Sequence, residues 1–200
     1  RRTLFLDMKK IGEFIYPWGN GHYSRMMKLD EVLPKYLTEE YEMFYFSKGD
    51  IYKKLLKKFP DRKKNIYEIL MPTPIDGKSG PSVSLSVLNM FFPVGANQSL
   101  VNQVKNYLKK EREIYNKEKF DLVINDGDMG STVLAKNRGI TSLFVTNQYL
   151  PKLWKSRSYF YPGMYFVSKQ IAKASRILVC DSAPPYAICE YNLNFPDNIK

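Results

Sequence analysis

The chain has 200 residues, 44% of them hydrophobic and 26% charged, a composition that fills a sizeable core and excludes a disordered or fibrous chain. Its 31 Lys and Arg against 20 Asp and Glu leave a formal charge of +11, which points to anionic partners: nucleic acid, a phospholipid surface or phosphorylated substrates. Cys180 and Cys189 are too few for a disulfide framework and, with one histidine, offer no metal-ligand spacing, a pattern that suits a reducing, cytoplasmic setting.

Met8 reads as a natural start, so residues 1–7 are expected to be an extension and residues 8–200 one domain. No apolar run reaches the roughly 18 residues of a spanning helix, so the chain is expected not to cross a membrane, although it can lie on one. The first apolar run, Ile11 to Tyr16, ends in Gly19-Asn20-Gly21-His22-Tyr23-Ser24-Arg25, which opens a helical pattern from Tyr23 to Leu33 that Pro34 stops. Further runs follow at Tyr41 to Phe46, Asn65 to Leu70, Leu122 to Ile124, Ser142 to Val145 and Ile177 to Cys180. Between them lie helical periodicities from Gln98 to Tyr115, Met129 to Arg138 (stopped by Gly139) and Gly163 to Ala174. This β/α alternation predicts a Rossmann-like, doubly wound and mainly parallel α/β sheet with helices on both faces. Met71 to Ser84, rich in Pro and Gly, is expected to be irregular backbone.

Ligands in this class bind past the carboxyl ends of the strands, so the residues closing each run are the candidates for chemistry. They are Gly19 to His22, Asp126-Gly127-Asp128, Thr146-Asn147-Gln148 and Asp181-Ser182. If the first and fourth runs are neighbours, an imidazole and one or two carboxylates share a cleft, a pairing suited to general base catalysis on a hydroxyl. The alternative is that His22 and Asp126 each do no more than cap a helix. Gly19 and Gly21 permit positive φ and let backbone N–H groups approach an anion. The third glycine of a dinucleotide fingerprint and the G-K-[ST] of a P-loop are missing, so neither NAD nor ATP is supported.

G-N-G-H-x-x-R after an early strand, then F-D-L-V-I-N-D-G-D and G-I-T-S-L-F-V-T-N-Q, resembles the N-terminal, acceptor-side domain of GT-B-fold glycosyltransferases. The likeness is to the group containing the peptidoglycan-precursor N-acetylglucosaminyltransferase and related lipid-glycosylating enzymes, and it runs from Lys9 to Lys200. It implies an inverting transfer from a nucleotide-diphosphate sugar, such as a UDP-sugar, to a lipid-linked or glycolipid acceptor, with no cofactor and no metal. In the same terms His22 is the base, Asp126 or Asp128 its carboxylate, and Gly19, Asn20, Gly21 and Arg25 face the donor diphosphate. Asn147, Gln148 and Trp154 fall on the acceptor side. A nucleotide-sugar domain is expected after Lys200, without which this stretch is expected to be inactive. One departure is Glu13, a carboxyl inside a strand that should be buried.

Two basic, aromatic stretches are candidates for an anionic membrane surface, on the inner face of the cell membrane. They are Ile51 to Lys64, with apolar Ile51, Leu55, Leu56 and Phe59 beside lysines, and Lys152 to Phe166 around Trp154. For the first, the competing account is a helix packed on its own sheet. Nucleic-acid binding lacks any zinc-finger, RNP or basic-zipper pattern. A nucleotide-sugar 2-epimerase of the same fold and a non-enzymatic module binding anionic lipid or nucleic acid are the rival functions.

Overall fold

A computed structural model describes residues 8–77, 80–95, 97–147, 149–152, 161–181 and 193–194. The expected extension, Gln148, Trp154 and Cys189 lie outside them. Six parallel strands form one sheet: β1 (Lys9–Ile15), β2 (Tyr41–Ser47), β3 (Ile66–Glu68), β4 (Leu122–Asp126), β5 (Thr141–Thr146) and β6 (Arg176–Val179). Their spatial order is 3-2-1-4-5-6, that of a Rossmann-like doubly wound sheet. All six apolar runs therefore become strands.

Strand side chains alternate between faces, and the residues sort accordingly. Ile11, Ile15, Met43, Tyr45 and Ile124 meet Met26 and Met27 of α1 (Asn20–Val32) and Ile51 and Leu55 of α2 (Gly49–Lys58). Phe14, Phe44, Phe46 and Val123 meet Tyr107, Ile114 and Tyr115 of α4 (Leu100–Glu118) and Leu134 of α5 (Met129–Asn137). The rings of Phe14 and Phe46 stack at 4.3 Å, and Phe120 meets Phe14 edge-on. α6 (Tyr161–Ile171) packs Ile171 against Phe144 of β5.

One open alternative is decided and one expectation changes. Ile51 and Leu55 are buried in the core, so packing on the sheet accounts for the apolar stripe of α2, and a short 3₁₀ turn from Pro60 follows it. The Met71 to Ser84 connection is irregular apart from a two-residue ribbon pairing Asp76–Gly77 with Gly80–Pro81. It then runs into a helix that periodicity does not reveal, α3 (Val83–Phe91), capped by Ser82 Oγ accepting from Leu85 N at 3.3 Å. Its sequence V-S-L-S-V-L-N-M-F is apolar nearly all round, so no amphipathic stripe marks it.

Glu13 sits in the middle of β1, fully buried under α1, and neither carboxyl oxygen finds a hydrogen-bond partner among the described residues. Asp30 of α1 lies beside it and accepts a 2.7 Å bond from Tyr45 Oη. Burial first, then the Asp30 charge, push Glu13 well above the usual carboxyl range, so it folds as the neutral acid. The folded state thus keeps a proton that the unfolded chain releases, and the stability this contributes is lost as pH rises through the folded-state value. Glu13→Gln keeps the shape without the titration. In thermal melts between about pH 5 and pH 9, wild type should lose ground steadily to this variant as pH rises; parallel curves would overturn the assignment.

Candidate active site at the switch point of the sheet

From β1 the chain winds outward through β2 and β3, and from β4 it winds the other way through β5 and β6. The crevice at such a reversal lies past the carboxyl ends of the two central strands. Ile15 and Asp126 are register partners there, and Tyr16 N donates to Asp126 O at 2.9 Å. β1 leaves through Gly19, whose φ of +76° belongs to glycine, and α1 begins at Asn20. Gly19 supplies no capping side chain and the first turn has no acidic residue, so the N–H groups and dipole of α1 favour an anion.

His22 and Arg25 are one helical turn apart on α1, and both reach Asp126. His22 Nδ1 is 2.6 Å from Asp126 Oδ1. Arg25 grips the same carboxylate as a fork, Nε to Oδ2 at 3.0 Å and Nη2 to Oδ1 at 2.8 Å, and Nη2 also lies 3.1 Å from the imidazole Nδ1. The pairing holds the guanidinium above its usual range, chiefly through the hydrogen bond to Asp126. The Asp126 side chain is only 1% exposed whereas that of His22 is 23% exposed, so the carboxylate is sealed and the ring remains reachable. With Nδ1–H donating to Asp126, Nε2 carries the lone pair.

Gly127 makes this approach possible. At φ +86°, a Cβ on it would stand 2.6 Å from Tyr16 Cβ and 3.3 Å from His22 Cε1. Tyr16 meets the imidazole edge-on at 5.4 Å and anchors its own hydroxyl on Pro72 O at 3.1 Å. Burial and the nearby Asp128 charge push Tyr16 up to about 12, so it remains a neutral donor. Sequence reading passed over Tyr16; its place next to the glycine loop was the available signal.

Asp128 is not brought to the imidazole. It caps α5 by accepting from Ser131 N at 3.1 Å, and it accepts from Tyr107 Oη, which lies 2.9 Å from Glu111 Oε1. Burial first, then the Asp128 charge, push Glu111 well above the usual range, and burial raises Asp128 as well. Asn20 Oδ1 accepts from Lys54 of α2 at 2.6 Å, and Gly21 stays exposed on the first turn of α1. Asn147 follows β5 at the same edge, also exposed. Among the described residues no three His, Cys, Asp or Glu side chains converge as metal ligands.

Beside the His22–Asp126 pair opens a cavity of about 860 Å³. Its walls are mainly apolar, with Met71 and Ile75 after β3, Val87 and Met90 of α3, Val104 of α4 and Phe166 of α6. Tyr16 and Gly127 also line it, and these are the two residues against which His22 rests. The imidazole therefore stands at the edge of an apolar pocket of ligand size.

No family model matches the sequence, and no curated protein matches it. Among solved structures the chain is similar to UGT73P12 of Glycyrrhiza uralensis complexed with glycyrrhetinic acid 3-O-monoglucuronide, at 11% identity and a TM-score of 0.41. The match covers 69% of this chain and 28% of that one.

Gly127→Ala tests the packing of this corner. Positive φ alone costs about 1–2 kcal/mol, and the added methyl must also displace Tyr16 or His22. Gly139→Ala carries a similar φ of +66° into open space and serves as the control. The melting temperature should fall by roughly 2–8 °C for the control and further for Gly127→Ala; equal losses would show that the contact does not constrain the corner.

Proposed function

We propose that this chain is the acceptor-side domain of an inverting glycosyltransferase of GT-B type, moving a sugar from a nucleotide diphosphate, a UDP-sugar in the first instance, to a hydroxyl of a lipid-linked or glycolipid acceptor. One observation carries the reading: a reachable imidazole, bonded at 2.6 Å to a sealed carboxylate, stands at the sheet's switch point beside an apolar cavity. The G-N-G-H-x-x-R resemblance supports the same assignment.

In this reading the acceptor's apolar part occupies the cavity and its hydroxyl lies at His22 Nε2. The acceptor oxygen forms a bond to the anomeric carbon as the bond from that carbon to the diphosphate oxygen breaks. The hydroxyl proton passes to Nε2, and the single displacement inverts the anomeric configuration. Asp126 holds the ring with Nδ1–H directed at itself and stabilises the imidazolium that forms. Arg25 acts on Asp126, pinning both carboxylate oxygens, and so is a positioning residue where the sequence placed it facing the diphosphate. The open N-terminus of α1, at Gly19, Asn20 and Gly21, faces the leaving diphosphate, where N–H groups and the helix dipole favour the developing charge. Asn147, Gln148 and Trp154 stay assigned to the acceptor side.

The test uses the complete gene product with UDP-sugars and a glycolipid acceptor. His22→Ala should lower turnover by about 10²–10⁴ fold with KM for the donor little changed. Asp126→Asn, which removes the charge that fixes the tautomer, should fall in the same direction. Near-normal turnover by His22→Ala would refute the base assignment, and sugar epimerised without acceptor would give the site to an epimerase.

A further inference from the structure

Tyr16 is the first residue past β1, and it touches the imidazole and the cavity at once. Its ring meets the His22 ring edge-on, with centroids 5.4 Å apart and planes at 73°. Gly127 lies against both, since a Cβ on it would crowd Tyr16 Cβ and His22 Cε1 together. The contact of Nδ1 with Asp126 Oδ1 at 2.6 Å fixes one end of the imidazole. It does not fix the tilt of the ring about that end, because the last torsion of a histidine side chain has broad minima. What packs against the ring therefore decides where Nε2 aims, and Tyr16 is an aromatic ring in that place.

Tyr16 is held in turn by the wall of the cavity. Its hydroxyl donates to Pro72 O at 3.1 Å, and Met71 to Ile75 all line the cavity. Met71 anchors one end of this wall in the core, where it is 1% exposed. Lys48, just past β2, donates from Nζ to Thr73 Oγ1 at 3.1 Å. Ile75 N donates to Ser86 Oγ of α3 at 3.0 Å, and Ile75 O accepts from Ser82 N at 2.8 Å. Trp18 Nε1 donates to Asp76 Oδ1 at 3.2 Å. Three of these ties, from Tyr16, Trp18 and Lys48, start at the carboxyl ends of β1 and β2, so the wall is strapped to the strand ends beside the site.

We infer that Tyr16 is a positioning residue that transmits the placement of the Met71 to Ile75 wall to the His22 ring. A ligand that fills the cavity and presses on Pro72 or Thr73 moves the carbonyl on which the Tyr16 hydroxyl is anchored. The phenol turns with it, and the edge contact that sets the tilt of the imidazole changes. Occupancy of the apolar cavity and the aim of Nε2 are thereby linked through one hydrogen bond. The mechanical link is independent of any reaction; its effect on turnover rests on the reading of His22 as the base.

The chain has a single histidine, so its imidazole resonances report that ring alone. In NMR spectra of the 200-residue chain, Tyr16→Phe, which keeps the aromatic ring and removes the bond to Pro72, should shift or broaden them. Thr73→Ala cuts the Lys48 tie; it should move the imidazole signals when Tyr16 is present and leave them unmoved in the Tyr16→Phe background. Signals unmoved by Tyr16→Phe, or an equal response to Thr73→Ala in both backgrounds, overturn the inference. In the complete gene product Tyr16→Phe should lower kcat by about ten-fold and leave KM for the acceptor within about two-fold. A side chain that only fills space moves neither the imidazole signals nor kcat. Imidazole signals that respond as expected beside an unchanged kcat support the link and place the failure in the base assignment of His22.

Discussion

Asp126 is the group on which the site depends. A carboxylate sealed at the end of a central strand is costly unless charge and hydrogen bonds replace the lost water, and here Arg25 and His22 do so from a single helix. Because both partners stand one turn apart on α1, the carboxylate also fixes the rotation of that helix against the sheet. Anything that loosens Asp126 therefore releases the imidazole as well, and anything that tilts α1 leaves a charge uncompensated. The reversal of strand order between β1 and β4 is what brings the two segments into reach.

The sheet carries a second polar device on each face. Under α1, buried Glu13 lies beside Asp30; behind β4, Glu111 and Asp128 meet around Tyr107. Each pair ties a helix to the strand system that bears the site, α1 in the first case and α4 with α5 in the second. Burial pushes these carboxyls upward, whereas Asp126 has a guanidinium for its partner.

The apolar cavity continues into exposed apolar side chains of α3. Val87, Met90, Val104 and Phe166 line it and are themselves exposed, so the cavity opens beside apolar side chains. The ring of His22 lies where that apolar pocket meets the helix N-terminus, so the two kinds of ligand surface converge on one nitrogen.

Local pattern determined the elements. Continuous apolar runs such as Met43 to Phe46 report a strand buried on both faces and the 3.6-residue stripe of α4 a helix buried on one, and burial follows from side-chain chemistry within a few residues. His22 and the Asp126-Gly127-Asp128 corner were likewise legible as residues ending strands. The alternation failed at α3, a short, largely apolar helix with no clear stripe, and it left α2 open, where an apolar stripe beside lysines looks the same whether it meets lipid or its own sheet. Strand order was the missing quantity. Only tertiary structure placed β1 beside β4, chose Asp126 over Asp128 as the imidazole's partner and turned Arg25 onto that carboxylate, since these contacts join residues about a hundred positions apart and no local spacing encodes which of two nearby acids points across the switch point.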